Sequence, residues 1–273
     1  MGNKTVISWT DHTFNPWIGC CRVSAGCAHC YAEADAERYG ENLWGKDAER
    51  RITKSPWENV RRWEKEAAKG IPGILGKGFP HLVFTGSMMD WAEDREDLLE
   101  VRGRMWTFIQ LSPHLHFQLL TKRPENIEKF LPADWGKGYA NVWLGTSIEN
   151  MKVASRADIL REIPALVHFI SYEPALGPLD NLNLSGIDWV IYGGESGINF
   201  RKEDKNWARV MHTKCLEEEV AFFHKQSASR YTEQGTDLDG EIIHEFPPIK
   251  LAPVKDTSTW LQGMTKFSEW TKK

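Results

Sequence analysis

Short apolar runs recur along the chain, and each one ends in small or polar residues. Seven of them are rich in β-branched and aromatic residues, which is typical of strands buried on both faces. They cover residues 4–10, 81–87, 115–124, 141–150, 166–178, 188–197 and 219–226. Segments with a helical pattern lie between them, at 30–39, 91–112, 124–131, 150–162 and 204–218. This alternation predicts a parallel sheet with right-handed crossovers.

The number of these units predicts an α/β fold, a partial (β/α) barrel of six to seven parallel strands. Residues 1–226 would form the barrel, and residues 227–273 would form a C-terminal extension packed on it. Within that extension Asp239 and Gly240 are placed to form the turn of a hairpin. Residues 70–80 are predicted to be a loop. In a barrel of this kind the chemistry takes place at the C-terminal ends of the strands.

Composition and charge are those of an ordinary globular protein. The chain has 273 residues, of which 41% are hydrophobic and 26% charged, and its net charge is −4. That charge argues against a protein that holds duplex DNA mainly by neutralising phosphates. A local basic groove is still compatible with it, because residues 49–65 place several cations among Trp57 and Trp63. The alternative for this stretch is a solvated helix face with both tryptophans turned to the core.

We expect a cytosolic protein with no membrane partner. No positive, apolar leader opens the sequence, and no run approaches the ~18 apolar residues of a membrane span. Thiols are kept reduced in the cytosol, so a local group of cysteines indicates metal binding or catalysis more than disulfides.

Four of the five cysteines are close together near the start of the chain. Cys20, Cys27 and Cys30 form a C-x6-C-x2-C pattern, and Cys21 adds a fourth thiol. Three thiolates suit an iron–sulfur cluster whose fourth iron is left open for a ligand. The helix predicted from residue 30 would aim its N-terminal amides at such an anionic site.

Zinc and cysteines without a metal are the alternatives. A tetrahedral zinc site needs four ligands, so it would have to recruit Cys21, His12 or His29. A zinc-stabilised chain would be a nucleic-acid-binding protein without turnover. A protein with an iron–sulfur cluster could instead use it for electron transfer or for DNA sensing.

Polar residues follow the predicted strands, where a barrel has its active site. They are Ser87, Lys122, Arg123, Ser147, Glu149, Asn150, Glu173 and Glu195. Lys122 and Arg123 could hold a substrate phosphate or carboxylate, or they could pair with Glu149 or Glu173. Glu195 could contact a ligand, or it could lie near a helix N-cap.

Three further polar residues lie beside predicted strands. Asp11 and His12 precede the cysteines, and they either line the site or cap the first strand. His224 ends the last strand and is predicted to face the barrel mouth, with a packing role as the alternative.

Six ordered blocks of the sequence resemble known families. A three-thiolate loop after the first strand of a parallel barrel resembles the radical S-adenosylmethionine (SAM) superfamily, although C-x6-C departs from its usual C-x3-C-x2-C. The blocks themselves resemble a divergent, phage-associated branch with a three-cysteine motif, the phage Gp37/Gp68 family. They are FNPWIGCCRVSAGCAHCYAE, LLTKRPENI, NVWLGTSIEN, SYEPALGPLD, DWVIYGGESG and LDGEIIHEFP, and they run from residue 14 to 247.

The resemblance implies a radical SAM enzyme with a [4Fe–4S] cluster. Cys20, Cys27 and Cys30 would ligate the cluster, with Cys21 as an alternative to Cys20, and its reduction would cleave SAM to a 5′-deoxyadenosyl radical. The expected SAM-binding residues are Ser87, Ser147, Glu149, Asn150, Gly193, Gly194 and Glu195. The expected catalytic residues are Lys122, Arg123 and Glu173.

The phage association favours a nucleobase substrate, free or within DNA, that is modified, rearranged or repaired. Reduction of the cluster requires an electron donor such as flavodoxin or ferredoxin. If the protein is phage-encoded, it would act in the host cytoplasm.

Overall fold

The computed structural model describes residues 5–76 and 80–248. Its strands are β1 (His12–Phe14), β2 (Trp17–Ile18), β3 (Arg51–Ile52), β4 (His81–Thr85), β5 (Leu115–Thr121), β6 (Val142–Ser147), β7 (Val167–Tyr172), β8 (Trp189–Gly193) and β9 (Ala221–Gln226). Seven of them form a parallel sheet in the order β1-β4-β5-β6-β7-β8-β9, which curls into a half-barrel. β2 and β3 form a separate antiparallel pair. The predicted partial barrel is therefore confirmed.

Helices connect the strands of the large sheet. They are α1 (Tyr31–Arg38), α2 (Pro56–Ala68), α3 (Leu99–Gln110), α4 (Ile127–Phe130), α5 (Ser155–Arg161) and α6 (Lys205–Glu217). Short 3-10 turns precede four of them, at Ala25–Cys27, Glu96–Leu98, Pro124–Asn126 and Met151–Val153.

Successive side chains of a strand point to opposite faces of the sheet, and both faces are buried. The outer side chains form one large hydrophobic cluster with the helices. The inner side chains form a second cluster inside the half-barrel, which includes Leu82, Phe84, Trp143, Phe169 and Trp189. Burial on both faces explains why these strands appear in the sequence as continuous apolar runs.

The prediction of a first strand at residues 4–10 was wrong. Residues 5–10 form no strand, and the first strand of the sheet is β1. The ring centroid of Trp9 lies 4.5 Å from that of Phe84 in β4 and 6.0 Å from that of Trp189 in β8. Because these strands lie four positions apart in the sheet, Trp9 fills the interior of the half-barrel.

Two further predictions concern the segments around α2 and α3. Trp57 and Trp63 on α2 are both buried, so the interpretation as a helix with core-facing tryptophans is confirmed for residues 56–65. Residues 49–55 are not helical, and Arg51–Ile52 form β3. The helix predicted at 91–112 begins later, with the turn Glu96–Leu98 and then α3. The guanidinium of Arg102 accounts for this, since it donates to the carbonyls of Trp91 (2.9 Å) and Glu93 (2.6 Å) and holds that segment outside the helix.

The described part of the C-terminal extension packs on the barrel. Asp239 and Gly240 have φ of 56° and 89°, and Leu238 pairs with Glu241, so the predicted hairpin turn is confirmed. His244 then pairs antiparallel with Phe223 of β9. The rest of the predicted extension, residues 249–273, lies outside the described residues. Of the predicted loop, residues 71–76 contain no helix or strand, and residues 77–79 lie outside the described residues.

Glu64 on α2 has a buried carboxyl group next to an imidazole. Its Oε1 lies 2.5 Å from Nδ1 of His114, and its side chain is 1% exposed. Burial raises the pKa of Glu64 from 4.5 to about 8, and burial also lowers the pKa of His114. These directions favour a neutral carboxylic acid that is hydrogen-bonded to a neutral imidazole.

This pair predicts a pH dependence of stability. A carboxyl with a raised pKa in the folded state stabilises the fold fully below its unfolded pKa, and that contribution is lost as the pH rises through the folded value. Each pKa unit corresponds to ~1.4 kcal/mol, and the lowered pKa of His114 acts in the opposite direction. The free energy of unfolding, measured by urea denaturation, is therefore expected to show a net fall of ~2 kcal/mol between about pH 5 and pH 8.5. Glu64→Gln should flatten this slope, and an unchanged slope in that variant would contradict the assignment.

Candidate functional site: a cysteine loop over the barrel mouth

The cysteine loop, defined here as residues 19–30, lies over the C-terminal ends of the strands. It begins at Gly19, whose amide donates to the carbonyl of Met88 (3.1 Å), just after β4. Gly19 has a φ of 118°, and a Cβ there would lie 2.6 Å from the carbonyl oxygen of Leu43. Glycine is therefore required at the start of the loop both for its backbone conformation and for the close contact.

Arg123, which follows β5, anchors the first cysteines of the loop. Its guanidinium donates to the carbonyl of Cys21 (2.6 Å) and to Asp90 (2.7 Å), and Nη1 lies 3.7 Å from Sγ of Cys20. Glu93, 4.0 Å from the same guanidinium, forms a buried ion pair with Arg50 (2.7 Å). Arg123, which was predicted to be catalytic, therefore holds the first part of the loop through these contacts.

Glu149, which follows β6, holds the middle of the loop. Its carboxylate accepts a hydrogen bond from Oγ of Ser24 (2.7 Å) and forms ion pairs with Lys122 (2.9 Å) and Arg156 (3.2 Å). Burial opposes ionisation, but Lys122, Ser24 and Arg156 together hold the pKa of Glu149 below its usual range. The predicted alternative in which Lys122 pairs with Glu149 is what the structure shows.

Glu195, which follows β8, holds the last part of the loop. It lies 2.9 Å from Nδ1 of His29 and accepts from the backbone amide of Arg201 (2.7 Å) and from Nε of the same arginine (2.9 Å). Arg201 in turn donates to the carbonyl of Ala25 (3.1 Å). Although burial opposes ionisation, Arg201 and His29 hold the pKa of Glu195 below its usual range.

The sulfur atoms of Cys20, Cys27 and Cys30 face hydrogen-bond donors. Cys27 Sγ lies 3.5 Å from the amide of Val23. Burial raises the pKa of Cys30, and backbone amides in the first turn of α1 oppose the rise. Burial raises the pKa of Cys20 to about 12; nearby Asp90 adds to the rise, and the guanidinium beside the thiol opposes it.

The chemistry of these donors fits an anionic iron–sulfur group, since N–H groups aimed at sulfur stabilise its negative charge. Sγ of Cys20 also lies 3.5 Å from the carbonyl oxygen of Cys21, and Sγ of Cys21 lies 3.7 Å from the carbonyl oxygen of Arg22 at the exposed side of the loop. Within residues 5–76 and 80–248 no three His, Cys, Asp or Glu side chains are arranged as a metal site.

Lys225 on β9 is a site residue that the sequence interpretation missed. Its Nζ lies 2.5 Å from Oε1 of Glu173, and the residue is 8% exposed. The prediction that His224 faces the mouth was wrong, because its ring stacks on Tyr192 of the outer cluster at 5.4 Å. The alternation of side chains along β9 would have placed Lys225 on the inner face, since Phe223, two residues earlier, belongs to the inner cluster.

Gly193 and Gly194 permit close approach of other groups. A Cβ at Gly193 would lie 3.0 Å from Cδ of Glu173, and one at Gly194 would lie 2.1 Å from the amide nitrogen of Ala228. Gln226 adds a hydrogen bond from Nε2 to the carbonyl of Gly194 (2.9 Å). The extension therefore packs directly on this glycine segment.

Three other predicted residues lie around the mouth. The hydroxyl of Ser87 pairs with Nδ2 of Asn15 (2.8 Å), and its carbonyl accepts from the Tyr31 hydroxyl (2.7 Å). Ser147 is buried, and its carbonyl accepts from Arg156. Asn150 caps the 3-10 turn Met151–Val153 that follows β6. Its side-chain oxygen accepts a hydrogen bond from the amide of Lys152 (3.0 Å).

Asp11 and His12 lie at the start of β1, away from the cysteine loop. The carboxylate of Asp11 accepts from the amides of Leu75 (2.7 Å) and Leu82 (2.8 Å). The ring of His12 stacks on Trp63 at 4.2 Å. The interpretation of these residues as a cap of the first strand is therefore the one the geometry supports.

Fold and site together define an α/β half-barrel with a cysteine loop held across its mouth. Over residues 4–247 the chain matches the family described as a protein of unknown function (DUF5131), and it belongs to that family. No curated protein and no solved structure matches the chain significantly. In the described part of the chain no helix is long and apolar enough to cross a bilayer.

Proposed function

We propose that this protein is a radical SAM enzyme that holds a [4Fe–4S] cluster and starts the radical modification, rearrangement or repair of a nucleobase in phage DNA. The observation that carries the proposal is the position of Cys20, Cys27 and Cys30. All three lie on one loop over the C-terminal ends of the strands, where barrels of this class carry out their chemistry.

When bound, the cluster would supply the electron that cleaves SAM into methionine and a 5′-deoxyadenosyl radical. Cys20, Cys27 and Cys30 would hold it as thiolates, and the N–H groups that face these sulfurs would stabilise their charge. The guanidinium of Arg123 would offset the neighbouring carboxylates, so that Cys20 can lose its proton on binding.

Polar groups of the mouth would bind SAM and orient the substrate. Lys225 with Glu173, and Lys122 beside Glu149, offer both signs of charge at the strand ends around the mouth. Below them the aromatic interior, closed by Trp9, keeps water out of the barrel. Ser87, Ser147, Asn150, Gly193, Gly194 and Glu195 surround the same mouth through the contacts described above.

The proposed substrate and partners follow from the same mouth and from the phage resemblance. Lys122 and Lys225 would attract a phosphate of a nucleotide or of DNA. A flavodoxin or ferredoxin would deliver the electron. We propose a cytoplasmic location, where the four thiols of the loop would stay reduced.

Anaerobic reconstitution with iron and sulfide tests the proposal. Wild type should become brown with about four irons per chain, and should form 5′-deoxyadenosine from SAM and dithionite. Cys27→Ala should do neither, whereas Cys21→Ala should do both. Nucleosides from phage DNA, or free nucleotides, should then change in mass, or in chromatographic retention for a rearrangement, when incubated with the active enzyme.

Other outcomes would overturn the proposal in distinct ways. A colourless protein that holds one zinc would favour a zinc-stabilised nucleic-acid-binding protein. A brown protein that never consumes SAM would favour electron transfer or DNA sensing. Deoxyadenosine formation with unchanged DNA and nucleotides would reject only the nucleobase substrate.

A further inference from the structure

Gly26 and Glu149 are in direct contact at the centre of the cysteine loop. A Cβ at position 26 would lie 2.3 Å from Oε1 of Glu149 and 2.6 Å from its Cγ. The φ of Gly26 is not in the left-handed region, so the backbone conformation does not require glycine. The position excludes a side chain because the carboxylate of Glu149 occupies that space.

The carboxylate of Glu149 has little freedom to move aside. Ser24 donates to it from the loop, and Lys122 and Arg156 contact it from the barrel side. The residue is 1% exposed. Each buried charge would lose its partner if the side chain rotated away, which makes such a rotation costly.

Glu195 makes a second attachment, with one contact on each side of Cys27. It contacts His29 directly and reaches the carbonyl of Ala25 through Arg201. Cys27 therefore lies between two carboxylate attachments, which come from different strands. Rigid elements that hold both sides of a short segment fix the position of its side chains.

We propose that Glu149 and Glu195 are positioning residues that fix Cys27 over the barrel mouth, with Gly26 required because Glu149 fills the space of its side chain. Both carboxylates were expected from the sequence to bind SAM, and the proposal gives them a different role. The purpose of the fixed loop rests on the proposed function, but its contacts can be tested without metal.

The rate of thiol alkylation in the metal-free, full-length protein measures the position of the loop. Iodoacetamide is added anaerobically, and mass spectrometry of peptides resolves the individual cysteines. We expect iodoacetamide to alkylate Cys27 about tenfold faster in Gly26→Ala than in wild type, because the added methyl group forces the loop away from Glu149. Cys21, which faces outward, should react at an unchanged rate.

Two controls separate this effect from general destabilisation. Cys215 is fully buried in the outer cluster, and its continued protection reports that the barrel is folded. Gly103→Ala is the matched variant, since a Cβ at that helical position would meet nothing within 4 Å. It should leave the Cys27 rate unchanged.

A double variant tests the contact itself. Glu149→Ala should also speed alkylation of Cys27, and adding Gly26→Ala to it should give no further increase, because the space is then free. The same increase from Gly26→Ala in both backgrounds, or no increase in wild type, would overturn the role of Glu149. An unchanged Cys27 rate in Glu195→Ala would overturn the second attachment.

Iron content after reconstitution separates this inference from the proposed function. If wild type forms no cluster but the alkylation rates change as expected, the attachments stand and the proposed function fails. If wild type forms the cluster and the rates do not change, the positioning role fails and the proposed function stands.

Discussion

Replacing Arg123 with methionine is expected to lower the free energy of unfolding by about 3–5 kcal/mol. The guanidinium is buried between Asp90 and the cysteine loop, and it is 4.0 Å from Glu93. Without it, the buried carboxylate of Asp90 loses a charged partner and the carbonyl of Cys21 loses a hydrogen bond. Urea denaturation of the metal-free protein measures the loss.

The control for this prediction is an exposed ion pair. Lys129 lies 2.7 Å from Asp94 with both side chains more than half exposed, so Lys129→Met should cost less than ~1 kcal/mol. Arg123→Lys should fall between the two variants, because it keeps the charge but not the forked donor geometry. If Arg123→Met and Lys129→Met lower the free energy of unfolding equally, the buried contacts of Arg123 with Asp90 and Cys21 contribute no more to stability than an exposed ion pair.

Trp189→Ala is expected to cost about 3–5 kcal/mol. The fully buried ring of Trp189 lies 5.8 Å from Trp143, 6.0 Å from Trp9 and 5.2 Å from Phe246, measured between centroids. Its Nε1 donates to the carbonyl of Glu245 (2.8 Å). One side chain thus joins the N-terminal segment, the sheet and the extension.

Two measurements check this role. Urea denaturation should give the loss of stability, and limited proteolysis should cut within residues 227–248 faster in Trp189→Ala than in wild type. Trp189→Phe keeps most of the ring contacts and should show a smaller loss. A loss of stability without faster cleavage would mean that the extension is held by other contacts.

The sequence predicted the later strands well because they are buried on both faces. β4 to β9 each fall within a predicted apolar run, since such strands carry continuous hydrophobic segments. The same signal failed at residues 4–10. Trp9 is apolar because it fills the interior of the half-barrel, and apolar content alone does not distinguish a strand from a segment packed inside one.

The site was predictable only in part. The three cysteines and the strand-end residues could be placed near one another, because carboxyl ends of parallel strands meet at one edge. The contacts between them could not be predicted. Glu149 contacts Ser24, which is 125 residues away in the sequence, and Arg123 contacts Cys21, which is 102 residues away. Such contacts depend on the loop conformation, which no local pattern of residues determines.

The hairpin of the extension also affects how the molecule behaves in concentrated solution. A half-barrel has two open edges, and an edge strand with free backbone groups is a template for association with another chain. Residues 243–245 cover β9, where the amide of His224 donates to the carbonyl of Ile243 (2.8 Å) and that of Glu245 donates to Phe222 (3.1 Å). β1 at the opposite edge is only three residues long. A chain shortened to residue 226 would therefore expose β9 and tend to aggregate.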